Sequence, residues 1–270
     1  MKSAVTIALV PQIKSGPWVF WGNAEDAIAK AAALGFDAVE LFTASATAVD
    51  AGLLQQLSES YHIRICAVGT GAGKVIQGLT LTDPDAGVRA RAIAFISEMI
   101  AFGAAFNAPA IIGSMQGNIP QGTERAVALQ WLNEGISVLA GEAEKKGVKL
   151  IYEPLNRYET NIFNGFADAV AWLKTLDTTN VQLLADLFHM NIEEASIPET
   201  IYQYGSYIGH VHFADSNRRA IGMGHTAMND IAKALQSIAY SGYLSAEVFP
   251  WPNSDAAARQ TINAFNTWFK

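Results

Sequence analysis

Short apolar runs alternate with stretches of helical composition from one end of this 270-residue chain to the other. Eight such pairs can be counted, beginning with the apolar run at residues 5–10 and ending with the run at 243–248 and the helix after it. Strict alternation of this kind favours parallel strands joined by crossover helices. Eight pairs in about 250 residues match the size of a (β/α)8 barrel. The pattern therefore predicts an α/β fold with one TIM-barrel domain over residues 1–270.

A doubly wound open sheet is the competing architecture for the same alternation. Its dinucleotide-binding form carries a G-x-G-x-x-G turn directly after a strand. The glycines nearest to that pattern, Gly69, Gly71 and Gly73, lack the required spacing. Together with Gly78 they are better interpreted as a flexible loop at an active site.

The composition narrows the class of protein. A net charge of −7 disfavours a nucleic-acid partner, because binding to a phosphate backbone needs clustered basic residues. The single cysteine, Cys66, excludes an intramolecular disulfide and is typical of a reducing compartment. No apolar run approaches the roughly 18 residues of a membrane span, and no signal-peptide cleavage pattern follows the first strand. We therefore expect a cytoplasmic protein without a membrane partner.

Ionisable side chains stand at the ends of four successive predicted strands. Glu153 directly follows an apolar run and precedes a proline, and Asp186, His212 and Glu247 follow at intervals of about one strand-helix unit. The carboxyl ends of barrel strands converge on one site. Three acids emerging there from apolar strands would repel one another unless a cation neutralised them. Oxygen-rich donors with one nitrogen suit Mn²⁺, Mg²⁺ or Co²⁺.

Simpler roles exist for each of these residues and their neighbours. A lone acid at a strand end is more often a helix cap or an ion-pair partner than a metal ligand. Arg218 could pair with Asp215 or another nearby acid. His210 shares the inward face of its strand with His212, and we expect it to be hydrogen-bonded in the core. Cys66 is either a pocket residue or a small buried thiol.

Four segments carry a recognisable pattern: residues 153–160 (EPLNRYET), 186–194 (DLFHMNIEE), 209–212 (GHVH) with 216–218 (SNR), and 245–247 (SAE). They closely resemble the ketose 3-epimerases of the D-tagatose and D-psicose 3-epimerase type. These enzymes belong to the xylose isomerase-like barrel superfamily. The resemblance is dense in the second half of the chain and mainly a fold pattern in the first half.

The resemblance implies a Mn²⁺-type metal at the four strand-end residues and a small sugar as substrate. It implies that Glu153 and Glu247 are two acid/base groups on opposite faces of that sugar. Glu159, His189 and Arg218 match positions that contact the substrate in this family. Homodimers and homotetramers are common among its members.

The implied reaction inverts C3 of a free ketose through a cis-enediolate. A hydrogen next to a ketone is weakly acidic, so the developing negative charge needs positive charge held in place. Proton return at a neighbouring carbon would instead give an aldose-ketose or hydroxypyruvate-type isomerase. A sugar-phosphate epimerase would need a second cationic cluster, for which Lys14, Lys74 and the pair Arg218 and Arg219 are candidates.

Two alternatives come from other functional classes. The superfamily contains DNA-repair endonucleases, which need several metals and many histidine ligands, whereas this chain has five histidines. A non-catalytic sugar-binding barrel would have no reason to pair Glu153 with Glu247 across one metal.

The chain also departs from the family pattern. Leu187 follows Asp186 where epimerases of this type often have threonine. The segment at residues 11–21, with Trp18, Phe20 and Trp21, differs from the usual aromatic start. We expect these first-half positions to shape the far end of the pocket.

Overall fold

Eight parallel strands close into a barrel in the computed structural model, which describes residues 1–270. Closure arises because β1 pairs with both β3 and β9. A short strand, β2, pairs with β1 near its carboxyl end, beyond the stretch that β9 covers. In chain order the strands are β1 (Lys2–Leu9), β2 (Phe20–Trp21), β3 (Ala38–Thr43), β4 (Arg64–Gly69), β5 (Ala110–Ile112), β6 (Leu150–Tyr152), β7 (Val181–Asp186), β8 (Ile208–His212) and β9 (Tyr243–Ala246).

Helices connect successive strands and surround the barrel, so the predicted α/β TIM-barrel fold is confirmed. Their inner faces bury small and branched apolar residues against the sheet. None of them is long and apolar enough to cross a membrane. In chain order they are α1 (Ala24–Leu34), α2 (Ala51–Ser60), α3 (Ala72–Gln77), α4 (Ala86–Ala104), α5 (Arg125–Lys145), α6 (Phe166–Leu173), α7 (Leu187–Glu193), α8 (Ile197–Tyr204), α9 (Met228–Ser237) and α10 (Ser254–Phe269).

The glycine-rich segment after β4 is more ordered than the sequence predicted. Residues that we interpreted as a loop form the short helix α3, which ends at Gly78 with a φ of 68°. The segment before α3 does line the pocket, through Gly69, Thr70 and Gly71.

Two short helices, α7 and α8, follow β7 in close succession. Pro198 lies in the first turn of α8, where its missing N–H leaves no hydrogen bond unmade. Ser196 caps that helix by accepting from the backbone N–H of Glu199. The preceding helix, α7, is capped by Asp186, so this residue has the helix-cap role that the sequence left open as well as its place in the predicted metal site.

We expect Gly35→Ala to destabilise the fold by about 1–2 kcal/mol, the cost of the left-handed conformation for an L-residue. Gly35 ends α1 with a φ of 86°, and no atom lies within 4 Å of a Cβ built there. The penalty would therefore come from the backbone alone.

Gly141→Ala is the matched control, because Gly141 lies inside α5 and also has open space around a Cβ. It should stabilise the protein by about 0.5–1 kcal/mol. Chemical denaturation at one protein concentration measures both changes. A neutral or stabilising effect of Gly35→Ala would contradict the assignment of strain to this cap.

Candidate active site

The four residues predicted to bind metal meet at the carboxyl end of the barrel. Asp186 and His212 end the neighbouring strands β7 and β8 and are paired in register. Glu153 and Glu247 directly follow β6 and β9. One donor atom from each residue lies within 4.8 Å of the other three. From Nδ1 of His212, the nearest carboxylate oxygens of the three acids are 3.5, 3.4 and 3.6 Å away.

Two of the acids are held in ways that leave one oxygen facing the cluster. Oδ1 of Asp186 accepts from the backbone N–H groups of Phe188 at 2.8 Å and His189 at 3.4 Å, which caps α7. The carbonyl of Glu153 accepts from Nε2 of Gln116 at 2.9 Å. The Glu153 side chain is buried, yet its Oε1 has no hydrogen-bond partner. A buried carboxylate oxygen without a partner is costly unless an ion satisfies it.

The electrostatics of the cluster also favour a bound cation. Burial alone would lower the pKa of His212, but the charges of Glu40 and Glu247 and a hydrogen bond to Asp186 raise this pKa well above its ordinary value. Burial raises the pKa of Glu247, and the charge of Glu153 raises it further. A divalent ion would supply the positive charge that these acids favour at this position. The donor set therefore fits a divalent metal ion.

Arg218 lies at the edge of this cluster. Its Nη2 donates to Oε2 of Glu247, and its Nη1 is 3.5 Å from Oε1 of Glu159. The guanidinium also stacks on Phe188, with 4.9 Å between its carbon and the ring centre. The ion pair considered for Arg218 is thus formed with Glu247 and not with Asp215.

Asp215 instead orders the loop that carries Arg218. Burial raises the pKa of the Asp215 carboxyl, but hydrogen bonds from backbone N–H groups of the loop bring it below its ordinary value. The carbonyl of Arg218 accepts from the N–H of Phe249 at 2.8 Å, which ties the loop to the segment after β9. The backbone donors to Asp215, at 2.7 to 3.0 Å, belong to Ser216, Gly222, Gly224 and Thr226.

His189 is oriented by a residue that the sequence analysis did not single out. Nδ2 of Asn156 lies 2.7 Å from Nδ1 of His189 and 3.0 Å from Oε1 of Glu159. Because an amide N–H can only donate, Nδ1 of His189 is the acceptor and Nε2 carries the proton. That Nε2 lies 3.8 Å from Oε1 of Glu153 and 3.6 Å from Oδ2 of Asp186. Asn156 therefore positions two of the predicted substrate contacts at once.

Glu40 is a second residue that the sequence analysis missed. It is buried in β3, where its oxygens lie 2.8 Å from Nε2 of His210 and 3.1 Å from Nε2 of His212. His210 is hydrogen-bonded in the core, as predicted. A charged residue inside the otherwise apolar run of β3 was the available signal.

A cavity of about 370 Å³ opens above the cluster. One wall is formed by Trp18 and Phe42, whose rings stack with 4.2 Å between their centres. The expectation that the first-half aromatic segment shapes the pocket is thus confirmed for Trp18. Cys66 is buried and does not line the cavity, so it is the small buried thiol of the two alternatives.

Comparisons with known proteins agree with this fold. A family model described as a xylose isomerase-like TIM barrel matches residues 28–268. The D-psicose 3-epimerase of Agrobacterium fabrum is 33% identical over 228 residues, which cover 82% of this chain and 78% of that protein. The L-ribulose 3-epimerase of a Methylomonas species is 30% identical over 264 residues, covering 94% and 88%.

A crystal structure of a D-psicose 3-epimerase, determined in the presence of D-fructose, is similar in three dimensions. It superposes with a TM-score of 0.82 at 25% sequence identity and covers 99% of both chains. The barrel and its connections therefore match over the whole length of the chain.

We expect Gly113→Ala to weaken binding of a divalent ion by roughly tenfold or more, the effect typical of disturbing a ligand's immediate support. A Cβ at position 113 would overlap Oε2 of Glu153 and lie 3.5 Å from its Cδ, so the carboxylate would have to move. Titration of Mn²⁺ into chelator-treated protein measures the affinity. Gly141→Ala is again the control, and equal affinities for Gly113→Ala and wild type would contradict close packing against Glu153.

Proposed function

Since the chain belongs to the xylose isomerase-like TIM-barrel family, we propose that it is a metal-dependent ketose 3-epimerase acting on a free sugar. Its relatives are epimerases, so the chain is an enzyme of the isomerase class. The observation that carries the finer proposal is the pairing of Glu153 and Glu247 around one cluster of donor atoms. These two acids stand at opposite ends of an arc of four adjacent strands, β6 to β9.

The reaction requires a proton to leave C3 on one face of the sugar and another to arrive on the opposite face. The C2 carbonyl acidifies the hydrogen at C3, and its removal leaves an enediolate. A divalent ion at Glu153, Asp186, His212 and Glu247 would supply fixed positive charge next to that developing negative charge. One glutamate accepts the C3 proton and the other donates a proton to the opposite face, which inverts the centre. Mn²⁺ is the proposed ion, with Mg²⁺ or Co²⁺ as alternatives.

The neighbouring polar residues hold the sugar in this scheme. His189 presents its Nε2–H toward the cluster, because Asn156 occupies the other ring nitrogen. Arg218 presents a buried guanidinium beside Glu247 and Glu159. Both side chains can donate to sugar hydroxyls, and Glu159 can accept from one.

The charge of the cavity supports a free sugar over a phosphorylated or acidic substrate. Arg218 is the single lysine or arginine among its lining residues and is already paired with carboxylates, whereas four glutamates line the same space. The other phosphate candidates lie elsewhere: Lys14 donates to the carbonyl of Pro11, and Arg219 stacks on Trp251. A phosphate or carboxylate would thus find no unpaired lysine or arginine in the cavity.

The proposal is tested by incubating the protein with Mn²⁺ in D₂O and each of six free ketoses: fructose, psicose, tagatose, sorbose, ribulose and xylulose. We expect deuterium at C3 together with the C3 epimer, detected by NMR after protein and metal are removed. Chelator treatment should abolish the reaction and Mn²⁺ should restore it. Exchange only at C1 or C2 would indicate an isomerase, and undiminished turnover after chelation would contradict the metal's role.

We expect Glu153→Gln and Glu247→Gln each to lower kcat by about 10²–10⁴-fold, the usual contribution of a positioned acid or base. Because each glutamate serves one face, each variant should still exchange the C3 hydrogen of one epimer with solvent without inverting it. Steady-state kinetics and deuterium wash-in from both epimers measure this, with bound metal quantified in parallel.

Glu194→Gln is the matched control, since Glu194 accepts from the N–H of Phe166 and the hydroxyl of Thr200 and does not line the cavity. Its turnover should equal that of the wild type. If either active-site variant kept more than a few per cent of wild-type turnover at full metal occupancy, the two-base scheme would be wrong.

A further inference from the structure

A fourth buried carboxylate lies next to the four predicted metal ligands, on a strand that contributes none of them. Glu40 belongs to β3, which β1 and β9 separate from β8 in the closed barrel, yet it contacts both histidines of β8. All three side chains are almost completely buried. A carboxylate is not placed in such a core without partners, so its position calls for a role.

Local irregularities of the sheet lie beside this contact. The pairing of β3 with β4 shifts by one residue between Val39 and Glu40. The pairing of β7 with β8 shifts at Gly209, directly before His210. Such shifts re-aim the side chains that follow them and are frequent beside active sites. Here the shift at Gly209 immediately precedes His210, while Glu40 and both histidines point into the barrel by the ordinary alternation of their strands.

We propose that Glu40 is a positioning residue of the metal centre, which holds His212 with its proton on Nε2 and its Nδ1 lone pair toward the three carboxylate ligands. The inference rests on the metal site of the proposed function. Oε1 of Glu40 can only accept at the observed 3.1 Å, so the proton of this contact belongs to Nε2 of His212. The opposite nitrogen, Nδ1, is the atom that faces Glu153, Asp186 and Glu247.

His210 in turn holds the Glu40 carboxylate in place. Its Nε2 lies 2.8 Å from Oε2 of Glu40, so each oxygen of the carboxylate receives one ring N–H. The carboxylate cannot rotate without breaking both contacts. A ligating histidine whose second nitrogen donates to a carboxylate has a fixed ring orientation and a more basic ligand atom.

Replacing Glu40 with glutamine, which has the same shape, distinguishes a hydrogen-bonding role from simple filling of space. Glutamine at position 40 would offer one accepting oxygen and one donating NH₂ group to two rings that both donate. One ring would have to present a lone pair instead. If that ring is His212, its proton moves to Nδ1, where the metal should bind; if it is His210, His212 still loses the anionic acceptor behind its Nε2–H.

The test is a titration of Mn²⁺ into chelator-treated protein, with free Mn²⁺ followed by electron paramagnetic resonance. We expect one ion per wild-type chain and about 10–100-fold weaker binding by Glu40→Gln, the range typical for loss of a carboxylate behind a histidine ligand. The control is Asp37→Asn. Asp37 accepts from the N–H and hydroxyl of Ser3 at the opposite end of the barrel, immediately before β3. Its affinity for Mn²⁺ should equal that of the wild type.

The outcomes separate the inference from the proposed function. A folded Glu40→Gln variant with wild-type affinity would overturn the role of Glu40. Two ions per wild-type chain would also overturn it, because Glu40, His210 and His212 would then be ligands of a second metal. No binding by the wild type would overturn the metal site of the proposed function itself.

A measurement on the unaltered protein covers the case in which Glu40→Gln does not fold. The chain has five histidines, so ¹⁵N-labelled imidazoles can be assigned individually in protein loaded with diamagnetic Mg²⁺. We expect His212 to carry its proton on Nε2 and His210 to do the same. A proton on Nδ1 of His212 would overturn the inference.

Discussion

Negative charge buried at one end of a closed barrel is the constraint on which this site depends. Parallel strands deliver their carboxyl ends to the same rim, and here Glu153, Asp186 and Glu247 arrive there within a few ångströms of one another. Carboxylates so close together repel one another and lose stability unless positive charge compensates them. Arg218 and His212 supply part of that charge. The negative charge that they leave uncompensated explains why the donor atoms surround a space suited to a divalent ion.

Contacts from several segments of the chain hold the acidic side chains of the site in a defined geometry. Asp186 is held by the first turn of α7, and Glu153 by the amide of Gln116 and the bare backbone of Gly113. The arginine beside them is fixed by a loop closed around the Asp215 carboxylate. Each support comes from a different segment of the chain, so the site forms only when the barrel is complete. The energetic cost of concentrating acids is thus offset by the folding of the whole domain.

The sequence was sufficient to predict the barrel and the four converging side chains for a specific reason. Strand and helix periodicity is local, and in a barrel the identity of each strand-end residue already determines which rim it reaches. Glu153, Asp186, His212 and Glu247 are all strand-end residues. Glu40 is not, because it lies inside β3, and its histidine partners lie on β8, which β1 and β9 separate from β3 in the closed barrel. Such a contact between strands that do not pair has no signature in hydrophobic periodicity. Asn156 was missed for a related reason, since its role is to donate a hydrogen bond to Nδ1 of His189, a contact that depends on the fold.

The two halves of the chain contribute different parts of the pocket, which accounts for the uneven family resemblance. Strands β6 to β9 carry the charged cluster, and their motifs match the epimerase pattern closely. The aromatic wall comes from the first half, where the hydroxyl of Thr6 accepts from the N–H of Val19 and donates to the carbonyl of Ala246. That one hydroxyl links the segment carrying Trp18 to the strand that precedes Glu247. Substitution of the wall residues can change the shape offered to a substrate while leaving the ligands of β6 to β9 in place. Divergence in the first half is therefore compatible with a shared chemistry in the second.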